Sequence, residues 1–278
     1  MVDMARLFTR LFACVVALVC VAGVLRAGAA NVPPIVGTDV SYAPLEFYAA
    51  GDKTPRGFDV DLTAAIVARM GGTLDMRNHS FDTILPGVSA GTIDLGVSSI
   101  SDTPAREKTV DFVDYLMVGT GMLVPRGNPH HVFNLGGLCG LRVDVQKGTS
   151  TETLLQTQSK TCRALGLGAV RIEDYATDQL ASNAFAAGAS DVHLSDYPVV
   201  AYLAQTSKGK FVIGGRQFND VPYGIAVAKS RPALRDAVRN ALAAVVASGA
   251  YDDLLKKWNL QQAAMRSAPV NAGRLFSN

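Results

Sequence analysis

The chain has 278 residues, 49% of them apolar and 18% charged, a composition that excludes disorder and a length that suits two compact lobes. The net charge is +2, but Arg6, Arg10 and Arg26 against Asp3 account for all of it, leaving 23 basic and 23 acidic residues beyond position 30. That balance argues against a nucleic-acid or anionic-membrane partner, either of which selects a positive surface.

Residues 1–30 read as a cleaved signal peptide. Arg6 and Arg10 form a basic start, Leu11 to Leu25 is an almost unbroken apolar run, and Ala27-Gly28-Ala29-Ala30 supplies small residues for cleavage. The run is shorter than the roughly 20 residues a membrane crossing needs. Val19 is a poor residue before a lipidated Cys20. Export leaves Cys139 and Cys162 in an oxidising compartment, where one disulfide is expected and two buried thiols are the alternative. The histidines (His79, His130, His131, His193) do not group, so neither a metal nor a cofactor is expected.

Strand and helix patterns then alternate, which predicts α/β lobes. A strand at 34–38 precedes a helix at 59–70, with Leu62, Ile66 and Met70 on one face and Gly71-Gly72 as its stop. A strand at 74–77, a short helix at 83–90 and a strand at 94–98 follow, and Thr103-Pro104 opens a helical turn. After a strand at 121–125 the rhythm restarts at 141–145. Helices are predicted at 149–158, 177–187 and 197–205, with strands near 170, 191–194 and 211–213. A last strand at 223–228 leads to helices at 232–248 and 251–258.

Polar groups gather at four strand ends, where an open α/β sheet binds its ligands. Asp39 and Tyr42 follow the first strand. Ser99, Ser101, Thr103 and Arg106 combine hydroxyls, free backbone N–H groups and a guanidinium, a set that suits a carboxylate. Thr149 and Ser150 open a helix after Gly148, without the second glycine or the Gly-Lys-Ser/Thr ending of a phosphate loop, and Thr149-x-x-Glu152 also reads as a plain capping box. Asp196 begins another helix, as a cap or as an acceptor for an ammonium.

The order of these segments resembles the periplasmic polar amino-acid-binding proteins of ABC uptake transporters, solute-binding family 3. The residues that carry it are Gly57-Phe58-Asp59-Val60-Asp61-Leu62, Phe81-Asp82-Thr83-Ile84-Leu85-Pro86, Gly91-x-x-Asp94, Thr103-Pro104-Ala105-Arg106, Asp111-Phe112, Val145-Gln146-Lys147-Gly148-Thr149-Ser150 and Gly249-x-Tyr251-x-x-Leu254-x-x-Lys257-Trp258. The resemblance implies an α/β, two-lobed type II periplasmic binding protein fold, each lobe a mixed sheet flanked by helices, joined by two hinge strands. Lobe 1 would be 31–124 and 218–265, lobe 2 would be 125–217, and 266–278 a flexible C-terminal tail.

It further implies a monomeric receptor in the periplasm that takes a free α-amino acid and delivers it to a membrane-embedded permease. Arg106, with Ser101, Thr103, Thr149 and Ser150, would hold the α-carboxylate. Asp196, with Thr103 and the Ser99 carbonyl, would hold the α-ammonium. Tyr42 and Phe81 would sandwich the side chain, with Asp39 at its polar end. Asp102 departs from the family pattern, which is apolar there. The competing reading is a cyclohexadienyl (arogenate or prephenate) dehydratase-like enzyme on the same scaffold, with Glu46, Asp102 or His193 as its acid.

Overall fold

The computed structural model describes residues 33–276; the expected signal peptide lies outside them. In chain order the elements are β1 (Ile35–Thr38), β2 (Ser41–Tyr42), β3 (Glu46–Tyr48), β4 (Pro55–Arg56), α1 (Phe58–Arg69), β5 (Asp75–Asn78), α2 (Phe81–Ala90), β6 (Leu95–Gly96) and β7 (Val110–Pro125). They continue with β8 (Arg142–Gln146), α3 (Ser150–Ala164), β9 (Arg171–Tyr175), α4 (Asp178–Ala186), β10 (Val192–Asp196), α5 (Tyr197–Thr206), β11 (Phe211–Ile213), β12 (Phe218–Ala228), α6 (Pro232–Ala247) and α7 (Ala250–Trp258).

One sheet runs in the order β5-β1-β6-β12-β7-β10-β8-β9, with β11 also on β7, and β2-β3-β4 form a small second sheet. The outer strands are parallel pairs, while β7 and β12 run antiparallel through the middle. Sixteen-residue β7 pairs with β12 along its first half and with β10 and β11 along its second. It therefore passes from one hydrophobic core to another. The first core includes Val36, Leu62, Ile66, Leu116 and Leu242, and the second Met122, Val143, Leu155, Val192 and Leu194. The alternation is that of two α/β lobes joined by crossing strands. The expected hinge strand at 121–125 is the end of a longer strand, and the one at 223–228 begins at Phe218.

The first half of β7 carries buried Asp111 and Asp114, which break the apolar pattern and conceal the strand in the sequence. Lys229 and Arg235 pair with Asp111, and the chain's end supplies further partners to both carboxylates. Asn271 Nδ2 donates to Asp111, the Ala272 amide donates to Asp114 at 3.0 Å, and Val270 bridges Val113. The expectation of a flexible tail from 266 is thus corrected. Residues 264–274 run beside β7 and its preceding loop, where buried Asp114 takes the Ala272 amide and buried Asp102 the Gly273 amide.

Cys139 and Cys162 form a disulfide within the second core, closing a loop over β8 and α3.

Candidate functional site

Four strand ends meet at one cavity. β1 delivers Asp39, β6 leads into Ser98–Ser101, β8 ends at Gln146 before Thr149 and Ser150, and β10 ends at Asp196. The cavity is narrow in this closed arrangement and is lined by Asp39, Tyr42, Glu46, Phe81, Ser98, Ser99, Ser101, Arg106, Gln146, Thr149, Ser150 and Asp196. Every expected site residue is present except Thr103. The Thr103 hydroxyl instead accepts from the Arg106 amide at 3.3 Å, inside the turn that precedes the guanidinium. That turn is a short 3-10 segment, Arg106–Lys108.

The backbone around Ser99 is sharply bent. Ser99 has φ 49°, a left-handed conformation that costs a serine roughly 1–2 kcal/mol. Asp59, in the first turn of α1, holds it there by accepting the Ser99 amide at 2.8 Å and the Tyr115 hydroxyl at 2.6 Å. The glycine before that helix fixes the other wall. Gly57 has φ 137°, and a Cβ there would stand 1.9 Å from the Leu45 carbonyl oxygen. The Gly57-Phe58-Asp59 motif is thus the anchor of the cavity floor.

Glu46, fully buried, accepts the Ser98 and Ser99 hydroxyls at 3.1 Å each. Burial first, and then the charge of Asp59, push its carboxyl well above the ordinary range. Burial also raises Asp59, to about 6, and raises Asp39 against the hydrogen bonds of Ser41 and Gln146. One end of the cavity therefore holds carboxyl groups with no basic side chain lining it.

At the other end Arg106 donates to the Ser101 carbonyl at 2.9 Å and to the Gly148 carbonyl at 3.2 Å, its guanidinium 5.6 Å over the Phe81 ring. Burial depresses its pKa, opposed by the charges of Asp196 and Asp102. Thr149 is both capping residue and wall. It accepts the Glu152 amide at 3.0 Å, while Glu152 takes the Gly148 amide at 2.7 Å. Asp196 holds the cap position of α5 without capping it. Its carboxylate turns to the cleft, accepting from Tyr42 at 2.7 Å and from Tyr223. Burial raises its pKa, against those two bonds and Arg106.

These contacts cross the cleft. Tyr42 to Asp196, Gln146 to Asp39, Ser101 to Ser150 and Arg106 to Gly148 each join the two cores, so the molecule is in a closed arrangement. Of the acids considered for an enzyme, Glu46 lines the cavity, whereas Asp102 and the fully buried His193 do not. Glu46, Ser98 and Gln146 were not expected as lining. Glu46 begins β3, Ser98 follows β6 and Gln146 ends β8. Among the described residues no cluster of three or more His, Cys, Asp or Glu could hold a metal.

The chain is similar to several known proteins along most of its length. An arginine-binding protein of Corynebacterium glutamicum is 31% identical over 252 residues, 90% of this chain and 78% of that protein. An ancestral arginine-binding protein bound to arginine superposes with a TM-score of 0.74 at 30% identity, covering 81% of this chain and 97% of that one. An ancestral amino acid-binding protein described as a precursor of cyclohexadienyl dehydratase gives a TM-score of 0.73 at 28% identity, over 81% and 95% of the two chains. Residues 35–261 match the bacterial extracellular solute-binding proteins, family 3, and the chain belongs to that family.

Proposed function

We propose that this protein captures a free α-amino acid with a cationic side chain in the periplasm and presents it, in the closed form, to an ABC permease. The observation that carries the reading is the distribution of charge in the cavity: Arg106 at one end, Asp196 beside it, and Asp39 with Glu46 at the other. A zwitterion sheds its water only where both of its charges meet fixed partners. Arg106 and the helix start at Ser150 take the α-carboxylate, and Asp196 with the turned backbone of Ser99 takes the α-ammonium. Tyr42 and Phe81 flank the side chain, whose cationic end meets the Asp39 carboxyl group with Glu46 behind it. Names of relatives that bind arginine support the same ligand class.

Export by a cleaved signal peptide accords with the family's extracellular setting and with the disulfide. The enzyme reading would rest on Glu46 alone among the three acids, and its carboxylate is held by the Ser98 and Ser99 hydroxyls.

A thermal-shift screen of the mature, ligand-stripped protein against the L-amino acids tests this. Arginine, lysine or ornithine is expected to raise the melting temperature, since ligand at about 1,000 times its dissociation constant adds roughly 4 kcal/mol. Arg106→Ala removes every response. Asp39→Asn with Glu46→Gln shifts preference toward uncharged side chains such as glutamine. Stabilisation by acidic amino acids alone, or by none, sinks the proposal.

A further inference from the structure

Beneath the Asp196 end of the cavity lies a buried polar cluster that amino-acid capture does not use. His193 on β10 is fully buried, with Nδ1 2.5 Å from Asp144 Oδ1 on β8 and Nε2 3.6 Å from Asp178 Oδ1 at the start of α4. Ser190 also donates to Asp144. Asp178 accepts the Ser195 hydroxyl at 2.7 Å, and Ser195 Oγ stands 3.1 Å from the Tyr42 hydroxyl, which donates to Asp196. An unbroken line of polar atoms thus runs from the second core, through Asp178, Ser195 and Tyr42, to Asp196 in the cleft.

Counting protons along that line exposes a gap. With both carboxylates ionised, the single Ser195 proton serves Asp178 and the single Tyr42 proton serves Asp196. Nothing is left for the 3.1 Å contact between the two hydroxyls, which then faces lone pair to lone pair. If Asp178 takes up one proton from solvent, it becomes the donor to Ser195. The Ser195 proton is released to Tyr42, and every link from Asp178 to Asp196 carries one hydrogen. Because Tyr42 packs in the first core and Ser195 lies on a strand of the second, that completed link joins the lobes only when they are closed.

We propose that Asp178, governed by His193, is a proton-operated positioning residue for closure: one proton taken up by Asp178 completes the cross-cleft relay through Ser195 and Tyr42, so ligand capture tightens on acidification. Burial, with the nearby charges of Asp144 and Asp196, raises Asp178 to about 6, against the opposing pull of His193 and Ser195. Burial alone would depress His193, but Asp178 and the Asp144 bond outweigh it and the net shift is upward. The titratable groups facing the pair are Asp144 from β8, Asp196 at the end of β10 and Tyr42 from β2. Strand β9 contributes the exposed Arg171, Glu173 and Asp174 with half-buried Tyr175, and β7 places Leu123 opposite His193. The sign follows from linkage. The relay needs a protonated Asp178 and exists only when closed, so the closed form has the higher Asp178 pKa and is favoured as pH falls through it.

The ligand arm of the test rests on the amino-acid reading above; the scattering arm does not. Calorimetry with L-arginine is run from pH 5 to pH 8 on wild type, Asp178→Asn and His193→Gln. The carboxamide that Asp178→Asn introduces donates permanently to Ser195, so this variant is expected to bind roughly three- to ten-fold tighter than wild type at pH 7.5, the worth of one hydrogen bond, and equally at pH 5. Asp39 also titrates but cancels in this ratio, whereas loss of the Asp178 charge lowers Asp196, so the Asp196 carboxyl carbon is titrated by NMR in both proteins to separate the two. Loss of the imidazolium moves the wild-type rise in affinity upward by about one pH unit in His193→Gln. In parallel, small-angle scattering of the ligand-free proteins is expected to show wild type more compact at pH 5.5 than at pH 7.5, and Asp178→Asn compact at both. Parallel affinity profiles for wild type and Asp178→Asn overturn the proposal. If arginine binds at no pH, the ligand reading falls, and identical scattering at both pH values then overturns this one as well. Should Asp178→Asn fail to fold, His193→Gln and the carboxyl carbon titration of wild-type Asp178 by NMR decide in its place.

Discussion

Gly57, which does not itself line the cavity, sets its floor. Gly57 lets Leu45 and Glu46 lie against the start of α1, since the Phe58 and Asp59 amides donate to the Pro44 and Leu45 carbonyls at 3.1 and 3.0 Å. An alanine there meets backbone atoms, which cannot swing aside as a side-chain tip can. Gly57→Ala is therefore expected to cost about 3 kcal/mol or more in urea denaturation, with weakened ligand affinity because Glu46 shifts with Leu45. Asp114 gives a pH-dependent counterpart. Burial, and next the charge of Asp102, raise it to about 8. A carboxyl whose folded pKa lies above its unfolded value binds its proton more tightly when folded. Its stabilisation is complete below about pH 4, the unfolded value, and is lost as pH rises toward 8. Asp114→Asn keeps the acceptor for the Ala272 amide and removes the titration. Its melting temperature is expected to fall less than that of wild type between pH 6 and pH 8. A parallel decline in both proteins would falsify the assignment of that slope to Asp114.

At the scale of elements, the strap formed by the chain's end belongs with the site. Gly273 donates to Asp102 at 2.8 Å and Arg274 pairs with Glu107, both within the loop that carries Arg106. Truncation after Gln262 strips those partners and leaves Asp102 and Asp114 buried beside each other with fewer donors. The expected result is a loss of about 2–4 kcal/mol, measured by chemical denaturation, together with weaker ligand binding as the Arg106 turn loosens. Unchanged affinity would confine the strap to stability. This strap was invisible in the sequence because its grip is backbone N–H to carboxylate, which leaves no periodicity. The strands β2, β3 and β4 were missed for a related reason, since two or three residues cannot display alternation. The longer helices and the four site segments were legible. The helices announce themselves by apolar spacing and stop signals, and the site residues by hydroxyls and charges placed where a strand ends. Glu46 was visible only as a lone acid, because its pairing with Asp59 depends on a contact between loop and helix that no local pattern encodes.

The whole molecule separates two jobs that its shared sheet would otherwise merge. Strands β7 and β12 run through both cores and must flex when the cleft opens, whereas the Cys139–Cys162 link lies inside the second core. It spans 23 positions and encloses β8 with most of α3, and thereby Gln146, Thr149 and Ser150. Both cysteines belong to that one core, so the link constrains the unfolded chain more than the strands that join the cores. Replacing both cysteines with serine is expected to cost about 3 kcal/mol in denaturation at equilibrium, the loop-closure entropy of a ring that size. Affinity for the amino acid, and the compaction that accompanies its capture, should stay within two-fold of wild type, about 0.4 kcal/mol. The contrary pattern, with affinity falling while stability holds, would mean that the wall around Ser150 is itself soft and that the disulfide, rather than the second core, holds it in shape for closure.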